Sequence, residues 1–162
     1  MPAGVATPVQ GTVWVVPQTS SVVGSNTWSG GGPASDTFAC KPPTAWNGAD
    51  VNDTLTALFT EPVTFGGVRL LVSASPPSTI PYSVFGSNDG TSWVKLTDIT
   101  AAVTTTWAPV EGTFSQVTYS QLLLRIASSE SWVAVDNVSL LADAGNADVW
   151  AGTGAPAGTH PE

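Results

Sequence analysis

Apolar residues recur at every second position in short runs, and glycine, proline, asparagine, aspartate or serine separates one run from the next. In Leu55-Thr56-Ala57-Leu58-Phe59 and Val68-Arg69-Leu70-Leu71-Val72, the set Leu55, Ala57, Phe59 and the set Val68, Leu70, Val72 each share a face, leaving Thr56 and Arg69 outward. Leu122, Leu124 and Ile126 do the same around Arg125. A period of two is the signature of a half-buried strand. Strands are predicted over 12–16, 54–59, 68–72, 82–87, 93–96, 110–114, 122–126 and 133–140. About eight short strands and no helical period predict an all-β antiparallel sandwich. Asn88-Asp89-Gly90 lies between two strand-like runs and supplies residues that tolerate positive φ, so 82–93 reads as a β-hairpin. The polar segment 20–43, with Gly30-Gly31-Gly32-Pro33, is expected to be a long loop of the kind that carries binding residues. The chain then divides into an N-terminal extension (1–11), one sandwich (12–141) and a Gly/Pro-rich C-terminal arm (142–162), an arm too poor in apolar side chains to fold alone.

Composition narrows the function classes. Twelve acids against Lys41, Arg69, Lys95 and Arg125 give a net charge of −8 over 162 residues. No basic stripe can be built from four cations, so nucleic acid and anionic membrane surfaces are poor partners. Cys40 is the single cysteine, which excludes an intramolecular disulfide and a cysteine-rich zinc site. No stretch approaches the length of a membrane span and the start lacks a Sec-type signal, so the expectation is release by another route, such as assembly into a virion.

Catalytic constellations are missing from the sequence. The sole histidine, His160, lies two residues from the C-terminus, where a Ser-His-Asp arrangement would need the arm to fold back over the domain. There is no Gly-x-Ser-x-Gly, Walker A or His-Glu-x-x-His pattern. Paired carboxylates for glycoside hydrolysis have no recognisable frame, and Asp50 and Asp53 read as lining a solvated turn. The chain is read as a non-enzyme without a cofactor.

Two stretches resemble the discoidin family, also called the coagulation factor five/eight type C domain, and the related family 32 carbohydrate-binding modules. Phe38-Ala-Cys-Lys-Pro-Pro-Thr-Ala-Trp46 is similar to that family's Ala-Phe-Asp-Gly followed by Thr-x-Trp, and Tyr82-Ser-Val-Phe-Gly-Ser-Asn-Asp-Gly-Thr-Ser-Trp93 is similar to its Tyr-x-Val-x-x-Ser-x-Asp-Gly-x-x-Trp hairpin. The order of strands between and after them matches over about residues 12–141. The resemblance implies a galactose-binding-like jelly roll whose loops at one end bind glycans, lipids or proteins, with Trp46 and Trp93 in the core. One departure concerns metal: the family's Asp-Gly pair helps hold a structural calcium, and Cys40-Lys41 stands there. Calcium needs several oxygen ligands, carboxylates among them. No metal is therefore expected, with the Lys41 ammonium replacing the ion and pairing with Asp136.

Seven tryptophans make indoles the leading candidates for recognition. Trp14, inside an apolar run, joins Trp46 and Trp93 as core. Trp28 lies in the long polar loop, Trp107 follows three threonines, and Trp132 follows Ser128-Ser129-Glu130-Ser131. A flat indole covers the apolar face of a sugar while polar groups bond its hydroxyls. Asn26, Asn47 and Arg125 are the candidate hydrogen-bonding partners. The resulting expectation is a non-catalytic adhesion module that binds surface polysaccharide or glycan, displayed on a phage or phage-like particle, in which it contacts other virion subunits and can form a homo-oligomer. The alternative is a capsid or tail decoration protein that uses the same jelly roll for subunit contacts.

Overall fold

The strand period governs nearly all of the computed structural model, which describes residues 12–27, 32–38, 45–48, 52–127 and 131–143. In chain order the elements are β1 (Thr12–Val15), β2 (Thr19–Gly24), a 3-10 turn (Ala34–Phe38), β3 (Trp46–Asn47), β4 (Asn52–Ser75), β5 (Ser78–Ser87), β6 (Val94–Val103), β7 (Ala108–Ala127) and β8 (Trp132–Asp143). All strand pairings are antiparallel.

Two strands are far longer than the sequence pattern predicts. β4 absorbs the runs expected at 54–59 and 68–72, and β7 absorbs those at 110–114 and 122–126. Pro62 and Gly66-Gly67 look like chain reversals but are register shifts, because the pairing of β4 with β7 jumps between Leu58 and Val63 and again between Phe65 and Gly67. Such irregularities bend a strand without ending it. The first half of β4 pairs with β2 and the end of β7, and its second half pairs with β8 and the start of β7.

The hydrogen-bonded sheet therefore folds over into two facing layers. The first holds β2, the start of β4, the end of β7, β5 and β6; the second holds β1, β3, β8, the end of β4 and the start of β7. Their inward faces form one core, with Trp46, Tyr82, Phe65, Leu70 and Ile80 among its largest fully buried side chains. Phe65 meets Phe59 and Phe114 edge to face, at centroid distances of 6.4 and 5.8 Å, near the bend where β4 changes layer. Edge-to-face pairs contribute about 0.5–1.5 kcal/mol each beyond their area. In β8 a bulge at Asp136 resets the alternation, so that Val133 and Val135 before it and Val138 and Leu140 after it all point inward.

Several expectations are corrected here. β2 occupies part of the segment read as a long loop, since Val22 packs on the core while its serines face water, as an edge strand allows. Trp46 is core as expected, but Trp93 is only half-buried. Trp14 is half-buried on the outward face of the second layer, because it pairs with Leu141 while its neighbour Val15 turns inward.

The predicted hairpin is present. Gly90 takes φ of 78°, and one Asp89 oxygen accepts from the backbone N–H of Ser92 (2.7 Å) and Thr91 (2.8 Å) and from the Ser87 hydroxyl (3.0 Å). Those donors hold the Asp89 carboxyl well below the usual carboxylate range. Asp98 is lowered by the Ser83 hydroxyl and then by Lys95. Burial pushes the Tyr82 phenol up, and its hydroxyl meets no hydrogen-bond partner among the described residues. No described helix is long and apolar enough to cross a membrane.

Candidate functional site

Strand direction gathers most of the candidate residues at one end of the sandwich. β4 leaves that end at Asn52, bends at the opposite end near Glu61, and returns to it at Ser75. Antiparallel pairing then places Gly24, Asn47, Ser78, Val103, Ala108, Ala127 and Trp132 at the same end.

Trp46 and Asp53 fasten the 25–27 segment at this end. The buried Trp46 indole Nε1 donates to the Asn26 carbonyl (2.9 Å) and to the Thr27 hydroxyl (3.2 Å). Gly24 lets the ring come close, because a Cβ there would stand 2.6 Å from Nε1. Asp53 is 4% exposed. Its Oδ1 accepts from the Ser25 hydroxyl (3.1 Å) and the Asn26 side-chain amide (3.2 Å), and the Ser25 hydroxyl in turn accepts from the Thr54 N–H (3.0 Å). Asp53 is thus a buried anchor for the 25–27 turn, not a solvated turn residue. It stands two residues before Leu55 and so shares the inward face of β4, and that period was the available signal.

Trp107 and Trp132 are the exposed aromatics of this end, at 44% and 47%. Ala108 pairs with the inward-facing Val72, so Trp107 beside it turns outward next to Ser73; Trp132 pairs with Ser75, again outward. Both indoles therefore lie on the outward face of the second layer, flanking β4 from its two sides. Two strand spacings set them about 10 Å apart across the sheet. The backbone near each is tied by hydrogen bonds: Ala74 N–H donates to the Thr104 carbonyl (2.8 Å), the Ser73 hydroxyl to the Thr105 carbonyl (3.2 Å), and the Ser131 hydroxyl to the Pro76 carbonyl.

The remaining candidates are dispersed. Asn47 is at this end, buried, and paired with Ala134. Asn26 is exposed, with its amide engaged by Asp53. Arg125 lies on the outward face of the other layer, its guanidinium 5.1 Å from the Phe85 ring centre, away from both indoles. Trp28 and Lys41 lie outside the described residues, and with Lys41 the pairing to Asp136; Asp136 itself is buried. Among the described residues no group of three or more His, Cys, Asp or Glu is placed to hold a metal ion.

No family model matches the sequence. No curated protein matches it either. Solved structures do. A family 32 carbohydrate-binding module of AlyQ, in complex with 4,5-unsaturated mannuronic acid, superposes with a TM-score of 0.63 at 17% identity, covering 76% of this chain and 95% of that one. The fold is that of a family 32 carbohydrate-binding module. Chitosan-binding module 1 of a chitosanase/glucanase from Paenibacillus sp. IK-5 gives 0.62 at 18% identity, covering 78% and 97%. A Clostridium perfringens family 32 module in complex with GalNAc-β-1,3-galactose gives 0.61 at 12%, covering 75% and 94%. The galactose-binding-like sandwich expected from the two sequence stretches is the fold of this chain.

Proposed function

We propose that this protein is a non-catalytic carbohydrate-binding module whose site is the end of the sandwich that carries Trp107 and Trp132. The observation that carries the reading is the pair of exposed indoles on one outward face, each beside a segment fixed by hydrogen bonds. Exposed aromatic area on an anchored backbone suits sugar stacking, because an indole has few rotatable bonds to immobilise on binding. The solved neighbours, carbohydrate-binding modules in complex with a mannuronic acid or a galactose disaccharide or described as chitosan-binding, support the same class of ligand.

The natural ligand in this proposal is a surface polysaccharide, with the module displayed in many copies on a phage-like particle so that weak single sites add up. The test is affinity electrophoresis and calorimetry of the whole chain against chitosan, pectin, alginate and bacterial surface polysaccharides, with Trp107→Ala and Trp132→Ala alongside. Each variant is expected to weaken binding about tenfold, which is ~1.4 kcal/mol, with stability within about 0.5 kcal/mol of the parent as for other exposed sites. Unchanged affinity in both variants, or no binding of any polysaccharide by folded protein, refutes the assignment.

A further inference from the structure

Below the two indoles, the outward face of the second layer carries a second built feature that the end-of-sandwich site does not use. Arg69 and Glu111 are directly paired across β4 and β7. The guanidinium bonds one Glu111 oxygen through Nη2 at 2.9 Å and Nε at 3.0 Å, and it stacks 4.3 Å above the centre of the Trp14 ring. Gly67 makes room for that ring, since a Cβ there would stand 3.2 Å from the indole Cη2. An arginine held by a carboxylate and an aromatic face is fixed in advance of any ligand.

We infer that this face is a track for an extended polysaccharide chain without acid groups, running from Trp132 and Trp107 along the β4–β7 ladder past Pro109 to Arg69 and Glu111. The inference rests on the glycan-binding reading above and adds the length and charge of the ligand. Three of the five tryptophans in the described residues lie on this one face. The track is continuous with the indole pair, because Pro109 and Glu111 follow Trp107 at successive outward positions of β7 and all three are exposed. From the level of Ser75 to that of Arg69 is six residues of strand, about 20 Å. That exceeds one or two sugar rings, so a chain, not a terminal sugar, fills it. Charge selects further: the Arg69–Glu111 pair is neutral in sum, Glu111 is the more exposed partner (47% against 22%), and the chain carries −8 overall. A polyanion is repelled by that field and a neutral or amine-bearing chain is not.

The test is calorimetry with cello-oligosaccharides and chito-oligosaccharides of two, four and six units, with oligogalacturonates as the acidic control, on the full chain and on Arg69→Ala and Glu111→Gln. In the series that binds, the hexasaccharide is expected to bind at least tenfold tighter than the disaccharide. Both variants should bring the hexasaccharide down five- to tenfold and leave the disaccharide within twofold, with a thermal melt confirming that each is folded. Equal affinity at all lengths, variants that match the parent on the hexasaccharide, tighter binding of oligogalacturonate, or no binding of any series overturns the track. So does sedimentation showing a dimer that Arg69→Ala dissolves while no oligosaccharide binds, which would make this face a contact between copies. Loss of binding in Trp132→Ala without any length dependence would leave the carbohydrate reading standing and remove the track alone.

Discussion

Asp53→Ala should loosen the tryptophan end of the sandwich more than any surface change. The carboxylate accepts from Ser25 and Asn26 at 3.1 and 3.2 Å while lying buried beneath the 25–27 turn. Hydrogen bonds to charged groups contribute roughly 1.5–3 kcal/mol each, but both bonds are long and both donors belong to exposed residues that water can rescue. Removing a buried charge also returns part of its desolvation penalty. About 2 kcal/mol remains for the pair, or a melting point lower by roughly 4–8 °C in a domain of this size. Asp53→Asn keeps one acceptor oxygen and should lose less than half as much. The assay is thermal unfolding by near-ultraviolet circular dichroism, combined with Trp46→Phe in a double-mutant cycle, because the Trp46 indole holds the same turn through the Asn26 carbonyl. A positive coupling energy is expected. An Asp53→Ala melt within about 1 °C of the parent, or strict additivity with Trp46→Phe, would show that Asp53 does not fasten the turn.

Three more outcomes follow from the packing. Gly24→Ala places a Cβ 2.6 Å from the Trp46 indole nitrogen and should cost about 1–3 kcal/mol as an overpacked core does, read from urea midpoints; an unchanged midpoint would count against this contact. Tyr82→Phe removes a buried hydroxyl without a partner among the described residues, so it should be neutral or raise stability by up to about 1 kcal/mol; a clear loss would reveal a bonded hydroxyl. Asp89 and Asp98 have carboxyls lowered by folding, so their stabilisation is complete above the ordinary carboxylate range and lost as pH falls through it and below. The hairpin amides of Thr91 and Ser92 should therefore lose hydrogen-exchange protection progressively as pH falls below about 4, and Asp89→Asn should flatten that dependence.

Much of the fold was legible because a period of two survives any tertiary context that buries one face. Leu55, Ala57, Phe59, Val68, Leu70, Val72, Leu122, Leu124 and Ile126 all point inward as their spacing demands. What the sequence hides is continuity. Pro62 and the Gly66-Gly67 pair punctuate a strand as readily as they end one, and only the pairing register separates the two cases. β2 was invisible because an edge strand exposes serines that read as loop. At the site, the polar runs before Trp107 and Trp132 marked both as exposed. The outward alternation of Arg125 was equally plain, yet it does not say which layer faces outward there, and the arginine lies on the layer opposite the indoles. Trp14 misled for the opposite reason: an indole flanked by valines reads as core until Val15 is seen to take the inward position.

Thr12 pairs with Asp143, side by side at the level of Phe65, while Trp132 stands at the level of Ser75. About ten residues of strand, some 30 Å, separate the two ends of the sandwich. A load applied at Thr12 or at Asp143 therefore acts on the base, opposite the tryptophan end. Two directions of pull differ mechanically. A pull between Asp143 and the Trp132 end loads β8 along its length, so its ladders to β1 and β4 resist in shear, many bonds at once. A pull that parts Thr12 from Asp143 opens the β1–β8 ladder one pair at a time. A domain hung by its C-terminal strand should hold under drag, and the same domain stretched between both ends should peel.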